Sequence, residues 1–133
     1  MMALKVEVSV GELLDKITIL EIKSERIKDA GKLVNVNKEL DTLRRTWQES
    51  PLSAQDVEDQ IAQLKVVNEA LWDIEDNIRR KEADQAFDDE FIQLARSVYH
   101  QNDIRAAVKK EINTMLGSGL VEEKSYVDYR QEK

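Results

Sequence analysis

The chain has 133 residues, which is enough for one domain with a sizeable buried core, so we expect residues 1–133 to form a single domain. It contains no cysteine and one histidine, His100, which excludes thiol catalysis, disulfides and a multi-histidine metal centre within one chain. The net charge of −7 disfavours nucleic acid and anionic membranes as partners, because binding to either depends on neutralising phosphate groups.

Two further features bear on location and fold class. No apolar run is long enough to cross a membrane, and the N-terminal stretch MMALKVEVSV lacks the continuous apolar core of a signal peptide, so a cytoplasmic protein is expected. With only four glycines and one proline, and with 35% of its residues charged, the chain favours helices over turn-rich sheet.

The first helix is predicted over about residues 10–28. Residues 4–8, before it, alternate between polar and apolar side chains, which predicts a short strand or an extended arm. Ser9 and Glu12 have the spacing of a capping box. The helix is apolar around much of its circumference, so we expect it to be central, and Gly31 is predicted to end it.

Three more helices follow in the sequence. The second has one narrow apolar stripe and ends near Pro51, and Ser53 is predicted to cap the third. Asp88 is predicted to cap the fourth, which Gly117 closes. The tail, residues 118–133, has no clear period and is left unassigned.

The predicted fold class is all-α, a four-helix-bundle-like domain with a long hairpin of helices three and four. These two helices are each roughly 45 Å long at the rise of an α-helix. Beside two shorter helices, such a hairpin leaves apolar surface uncovered in one copy, so we predict a homodimer. The alternative is a single bundle of three or four helices in which the third helix is bent.

The apolar seam of the fourth helix is interrupted by two polar residues. Gln101 and Arg105 stand between Val98 and Val108, where two more apolar residues would complete the pattern. A buried guanidinium is costly unless a carboxylate pairs with it. In an antiparallel hairpin Arg105 would face residues 68–75 of the third helix, where Glu75 and the adjacent Asp76 are candidate partners.

This interruption has three interpretations. Arg105 either forms an internal ion pair that fixes the helix register, or reaches the surface along its aliphatic stem, or belongs to a pocket for an anionic ligand. In the pocket interpretation Glu75 or His100 would transfer protons. The candidate ligand-binding residues are Arg26, Glu75, Arg96, His100, Gln101 and Arg105.

A metal site is a weak alternative. Asp73 and Asp76 lie one helical turn apart and would suit a magnesium ion with substrate phosphates. Arg79 and Arg80 follow at pairing distance, however, which favours a solvated salt-bridge face. No cofactor is expected.

Three stretches carry a resemblance to a known family: VGELLDKITILEIKSERI, the long segment LWDIEDNIRRKEA followed by FIQLARSVYHQNDIRAAVKKEIN, and GSGLVEEKSY. They resemble a family of small, all-helical bacterial proteins of unknown function, about as long as this chain, some of which are encoded near sugar-transferring enzymes of surface-polysaccharide synthesis. The resemblance implies a single domain and supplies no catalytic residues. A weaker resemblance, of LLDKITILEIKSER to the first helix of the all-helical chorismate mutases, implies ligand-binding roles for Arg26, Gln101 and Arg105.

The functional hypothesis is a non-catalytic interaction or accessory module whose partners are a second copy and another protein. It rests on the absence of phosphate-loop, nucleophile-elbow, zinc-protease and dinucleotide motifs. The alternative is a small-molecule binding protein or enzyme with a polar site inside the bundle, either chorismate-mutase-like or a magnesium-dependent nucleotide hydrolase.

Overall fold

A computed structural model describes residues 2–130. Its elements are α1 (Val10–Arg26), α2 (Ala30–Glu49), a short 3₁₀ turn (Pro51–Ala54), α3 (Glu58–Ala83) and α4 (Asp89–Leu116). Residues 2–130 contain no strand, and the all-α prediction is confirmed. None of these helices combines the length and the apolar character that a membrane span requires.

The helices form three layers with α1 in the middle. One side of α1 packs against α2, and the other side packs against both α3 and α4, which lie side by side as a hairpin. Leu14, Ile17, Leu20 and Ile22 are all buried, because the apolar side chains of α1 point in several directions. The prediction that this helix is central is confirmed.

Three predicted helix ends are confirmed. The Ser9 hydroxyl accepts a hydrogen bond from the amide of Glu12 at 3.1 Å, and the Asp88 carboxylate accepts one from the amide of Phe91 at 3.0 Å. Gly117 closes α4 in the left-handed conformation, with φ +60°. Local capping chemistry therefore determines where α1 begins and where α4 begins and ends.

The predicted end of the first helix was wrong. The helix stops at Arg26, and Ile27 is already extended. Gly31 lies in the first turn of α2, where the Asp29 carboxylate accepts a hydrogen bond from the amide of Lys32 at 3.0 Å. An aspartate cap two residues earlier starts the new helix before the glycine can act as a terminator.

The predicted start of the third helix was also wrong. Ser53 lies in the 3₁₀ turn, which begins at Pro51 and is capped by Ser50. α3 begins later, at Glu58, after the buried Val57. The helix has 26 residues and is about 39 Å long at the usual rise, whereas a length of roughly 45 Å was predicted.

Both ends of the described chain lack regular structure. Residues 2–8 are exposed and form no strand. Residues 118–130 return along α4, and the Tyr129 hydroxyl donates a hydrogen bond to Asp103 at 2.6 Å. The rest of the tail left unassigned above, residues 131–133, lies outside the described residues.

Candidate functional site

The centre of the structure holds the buried carboxylate of Asp15 on α1, which is 1% exposed. Its Oδ1 accepts a hydrogen bond from Nδ2 of Asn68 at 2.8 Å, and its Oδ2 lies 3.3 Å from Nε of Arg105. Nζ of Lys109 lies 3.9 Å from the same Oδ2. A carboxylate without partners would be costly at this depth, and the amide and the two cations offset that cost.

Thr18 completes the hydrogen bonds around this carboxylate. Its hydroxyl donates to the backbone oxygen of Asp15 at 2.7 Å and accepts from Nδ2 of Asn68 at 3.0 Å. Within residues 2–130 no fully buried side-chain nitrogen or oxygen lacks a partner. The group, which we call the polar core, consists of Asp15, Thr18, Asn68, Arg105 and Lys109.

Lys109 connects the polar core to the C-terminal tail. Its Nζ donates hydrogen bonds to Glu12 at 2.6 Å and to Glu122 at 2.8 Å. Burial by itself would lower the pKa of Lys109, but the two hydrogen bonds and the charge of Asp15 outweigh it and raise the pKa. The ammonium is therefore held in its charged form, and Glu12 is used for this contact instead of a capping box.

The start of α1 approaches α4 closely at this point. The Gly11 amide donates a hydrogen bond to Oδ1 of Asn113 at 2.7 Å. A Cβ atom at Gly11 would lie 2.6 Å from the backbone oxygen of Lys109, so only glycine fits. Arg105, Lys109 and Asn113 follow one another at intervals of four residues, which puts all three on the face of α4 that meets α1.

Acidification is expected to release the first part of the tail. The hydrogen bond from Lys109 lowers the pKa of Glu122 below its ordinary value of 4.5. The stabilisation from this carboxylate is therefore complete above pH 4.5 and is lost as the pH falls through the lowered pKa. NMR amide shifts of residues 120–124, followed from neutral pH downwards, should move together only in that acid range, and Glu122→Gln should show the released shifts already at neutral pH. Tail shifts that match between the two proteins at neutral pH would contradict this account.

An open cavity of about 300 Å³ lies beside the polar core, between α1, α3 and α4. This volume is at the lower end of the range for small-molecule sites. Most of the wall is apolar, and the polar part comes from one amide, one guanidinium and two carboxylates. The lining residues are Ile19, Ile22, Asn68, Leu71, Trp72, Glu75, Asp76 and Arg105.

Some of the candidate residues from the sequence meet at this cavity. Arg105, Glu75 and Asp76 all line it. Arg26 lies at its edge, where its guanidinium pairs with Asp73 at 2.6 Å and stands 5.8 Å above the ring of Trp72. Hydrogen bonding to Asp73 outweighs the opposing effect of desolvation and raises the pKa of Arg26.

The other candidates from α4 do not line the cavity. Arg96 and His100 are exposed, and Gln101 is half-buried. Nδ1 of His100 lies 3.1 Å from the hydroxyl oxygen of Tyr129. Arg96 and His100 lie on other faces of α4 than Arg105, and Gln101, one turn before Arg105, does not reach the cavity, so these three residues do not form one site with Arg105.

The partner predicted for Arg105 was wrong. Glu75 and Asp76 on α3 were expected, but the structure pairs the guanidinium with Asp15 on α1. The reason is that α1 lies across the hairpin at this level and brings its own buried carboxylate between α3 and α4. Sequence reasoning also missed Lys109 and Glu122.

The carboxylates considered for magnesium are arranged differently from a metal site. Asp73 is bound by Arg26, and Asp76 lies at the wall of the cavity. No three metal-binding side chains converge anywhere between residues 2 and 130. A magnesium ion at Asp73 and Asp76 would have to displace Arg26 and take its remaining ligands from substrate and water.

The fold and the polar core define an all-α protein in which a central helix carries a buried, cation-paired aspartate. The chain belongs to the family of unknown function DUF6165, whose model matches residues 4–130. No curated protein and no solved structure matches the chain.

Proposed function

We propose that this protein is a non-catalytic interaction module that self-associates through one side of the α3–α4 hairpin and then binds another protein. The observation that carries the proposal is the asymmetric covering of the hairpin. Within residues 2–130, α1 is the only helix that packs closely on α3 and α4 together. The opposite side of the hairpin, which we call the bare side, is covered by none of the helices described between residues 2 and 130.

The bare side follows from the helical spacing of the two helices. A hydrogen bond between Nε2 of Gln60 and Oε1 of Glu111, at 3.2 Å, shows their register, in which Val66 lies at the level of Ile104. The residues that share this side are Gln63, Val66, Ala70, Ile74 and Asn77 of α3 and Gln93, Ser97, Gln101 and Ile104 of α4.

The composition of the bare side favours an interface. Between Gln63 and Asn77 and between Gln93 and Ile104 it carries no charged residue, in a chain of which 35% is charged; Asp59, Lys81 and Glu111 lie on the same side at its ends. Depletion of charge is what distinguishes the core of a protein interface from the rest of a surface. Val66 and Ile104 are among the exposed large apolar residues, and Gln101 is half-buried beside them. On this proposal, Gln101 is tolerated in the seam because it contributes to a polar and apolar contact surface.

The bare side is large enough for the centre of an interface between two copies. From Gln63 to Asn77 it is about 21 Å long, and with a width of two helices it covers about 400 Å². A standard interface buries about 800 Å² on each partner, so the contact would also include the rim around this surface. Two copies related by a two-fold axis would present the same surface to each other, and their two hairpins would pack face to face as a four-helix bundle.

A pair of matched substitutions tests self-association. Val66 on the bare side is 66% exposed, and Val34 on α2 is 67% exposed, so glutamate at either position is tolerated by a single folded chain. Wild-type protein and Val34→Glu should have a molar mass by light scattering of twice the 15.4 kDa of the chain. Val66→Glu should have the mass of one chain, because two like charges would be buried near the symmetry axis. A wild-type mass of one chain at all concentrations would refute the proposal.

The partner class is proposed from the family resemblance. Related proteins encoded near sugar-transferring enzymes of surface-polysaccharide synthesis suggest such an enzyme, in the cytoplasm, as the first partner to test. Co-purification of that enzyme with the wild-type chain, and its loss with Val66→Glu but not with Val34→Glu, would support a role for the dimer in binding. Equal recovery with both variants would place the partner's contact elsewhere.

A small-molecule function is the second candidate, and the cavity beside Arg105 favours it. A chorismate-mutase-like enzyme needs several cations around a dianionic substrate. In this cavity Glu75 and Asp76 at the wall would repel such a dianion. The magnesium-dependent form of this function needs metal at Asp73 and Asp76. Calorimetric titration with magnesium tests the second form, and turnover of chorismate tests the first.

A further inference from the structure

We infer that the cavity beside Arg105 binds a small zwitterion, a molecule with one carboxylate, one ammonium group and an apolar body. This inference deepens the small-molecule candidate above and does not depend on self-association. It rests on the kinds of polar atoms that the wall offers and on their distribution among three helices.

The guanidinium of Arg105 provides the position for a carboxylate. Its side chain lines the cavity and is 29% exposed, so part of the group remains reachable. Nε lies near Asp15, the only acid of residues 2–130 within 4 Å of Arg105. A guanidinium has five N–H donors, and one pairing through Nε leaves others for a ligand carboxylate.

Apart from Arg105 and the indole of Trp72, the polar side chains of the wall offer acceptors, which suit an ammonium group. Nδ2 of Asn68 donates to Asp15 and to Thr18. These two hydrogen bonds occupy the nitrogen of the amide and leave its oxygen free to accept another. Asn68 is 6% exposed and lines the cavity, and no donor within residues 2–130 contacts that oxygen. Because no enclosed side-chain atom in this part of the chain is unpaired, the oxygen keeps some exposed surface, and we infer that a ligand reaches it from the cavity that Asn68 lines.

Glu75 and Asp76 add two carboxylates to the same wall. Glu75 is half-exposed, and its present partner is Arg79, at 3.5 Å and exposed to solvent. Such a surface pair is weak, so an ammonium group of a ligand would compete with Arg79 at little cost. A ligand with only a negative charge would be repelled by these carboxylates, and a ligand with only a positive charge would be repelled by Arg105. Only a ligand with both charges is complementary to the whole wall.

The apolar wall requires a hydrophobic body on the ligand. Ile19 and Ile22 of α1 face Leu71 and Trp72 of α3 across the cavity. Arg26 above the ring of Trp72 holds that ring in place. A volume of about 300 Å³ accommodates a ligand of the size of an apolar amino acid and excludes larger cofactors.

Isothermal titration calorimetry with three probes tests the inference. L-phenylalanine, 3-phenylpropanoate and 2-phenylethylamine share one phenyl body and differ only in their charged groups. L-phenylalanine should bind about tenfold more tightly than either of the other two, because each of them lacks one charge-assisted hydrogen bond. Glu75→Gln should weaken the binding of L-phenylalanine and leave that of 3-phenylpropanoate unchanged or improved. Glu39→Gln, which removes a carboxylate paired with Lys16 on the other side of α1, is the matched control and should change neither.

The outcomes separate the inference from the broader candidate. If 3-phenylpropanoate binds as tightly as L-phenylalanine, the site takes anions, and the zwitterion inference fails while the small-molecule candidate survives. If the amine binds best, Arg105 is not a ligand contact, and the inference fails in the same way. If none of the three probes binds, both the inference and the small-molecule candidate are refuted for this cavity.

Discussion

Replacing Asp15 with alanine is expected to lower the free energy of unfolding by about 3–5 kcal/mol. The substitution removes the one carboxylate between two cations at the centre of the protein. Arg105 would lose its only ion-pair partner within residues 2–130, whereas the buried Lys109 would keep Glu12 and Glu122. Asn68 would lose the acceptor for its shorter hydrogen bond at the same time.

Urea denaturation of wild-type protein, Asp15→Ala and Asp73→Ala measures this effect. Asp73 forms a shorter ion pair, 2.6 Å from Arg26 against 3.3 Å between Asp15 and Arg105, but its side chain is 62% exposed. Solvent screens that pair, so its loss should change the midpoint only slightly. If Asp15→Ala is no more destabilising than Asp73→Ala, the polar core does not hold the three helices together in the way described here.

Replacing Gly11 with alanine is expected to cost about 1–3 kcal/mol, or more if α1 cannot shift. The added methyl group would lie 2.6 Å from the backbone oxygen of Lys109, and backbone cannot move aside as a flexible side chain does. Any shift of α1 would also lengthen the hydrogen bond from the Gly11 amide to Asn113. Glycine is required here by the close approach of two helices.

Thermal and urea unfolding of Gly11→Ala should be compared with Gly119→Ala. A Cβ atom at Gly119 would meet nothing within 4 Å, so this second variant controls for the general effect of replacing glycine by alanine. The first variant should be clearly destabilised and the second should resemble the wild type. Equal stability of the two would show that α1 does not approach α4 as closely as the structure has it.

The predictions that succeeded depend on neighbouring residues in the sequence. Ser9, Asp88 and Gly117 act on amides and carbonyls within one turn, so spacing alone locates the helix ends that they form. The central position of α1 followed from its apolar circumference, which needs cover on several sides. The predictions at Gly31 and Ser53 were wrong because another local signal begins a new element first. Near Gly31 that signal is the Asp29 cap, and near Ser53 it is the turn that begins at Pro51.

The contents of the polar core could be predicted only in part. The arginine in the seam of the fourth helix signalled a buried polar group, but identifying its partner requires the crossing of α1 over the hairpin. Lys109 had a detectable signal, since it lies one turn after Arg105 on the same face. Glu122 had none, because it reaches Lys109 from a tail without regular structure.

A cysteine scan of the bare side reports directly on whether two copies of the chain meet through this surface. The natural chain contains no cysteine, so a single substitution reports on one position only. Gln63, Ala70, Asn77, Ser97 and Gln101 would be replaced one at a time, with Val34→Cys and Thr42→Cys on α2 as controls, and disulfide-linked dimers would be measured after mild oxidation. We predict a rapid cross-link at one or more bare-side positions close to the two-fold axis, where Cα atoms approach within about 7 Å, and none on α2. Cross-links on α2 with none on the bare side would contradict the account.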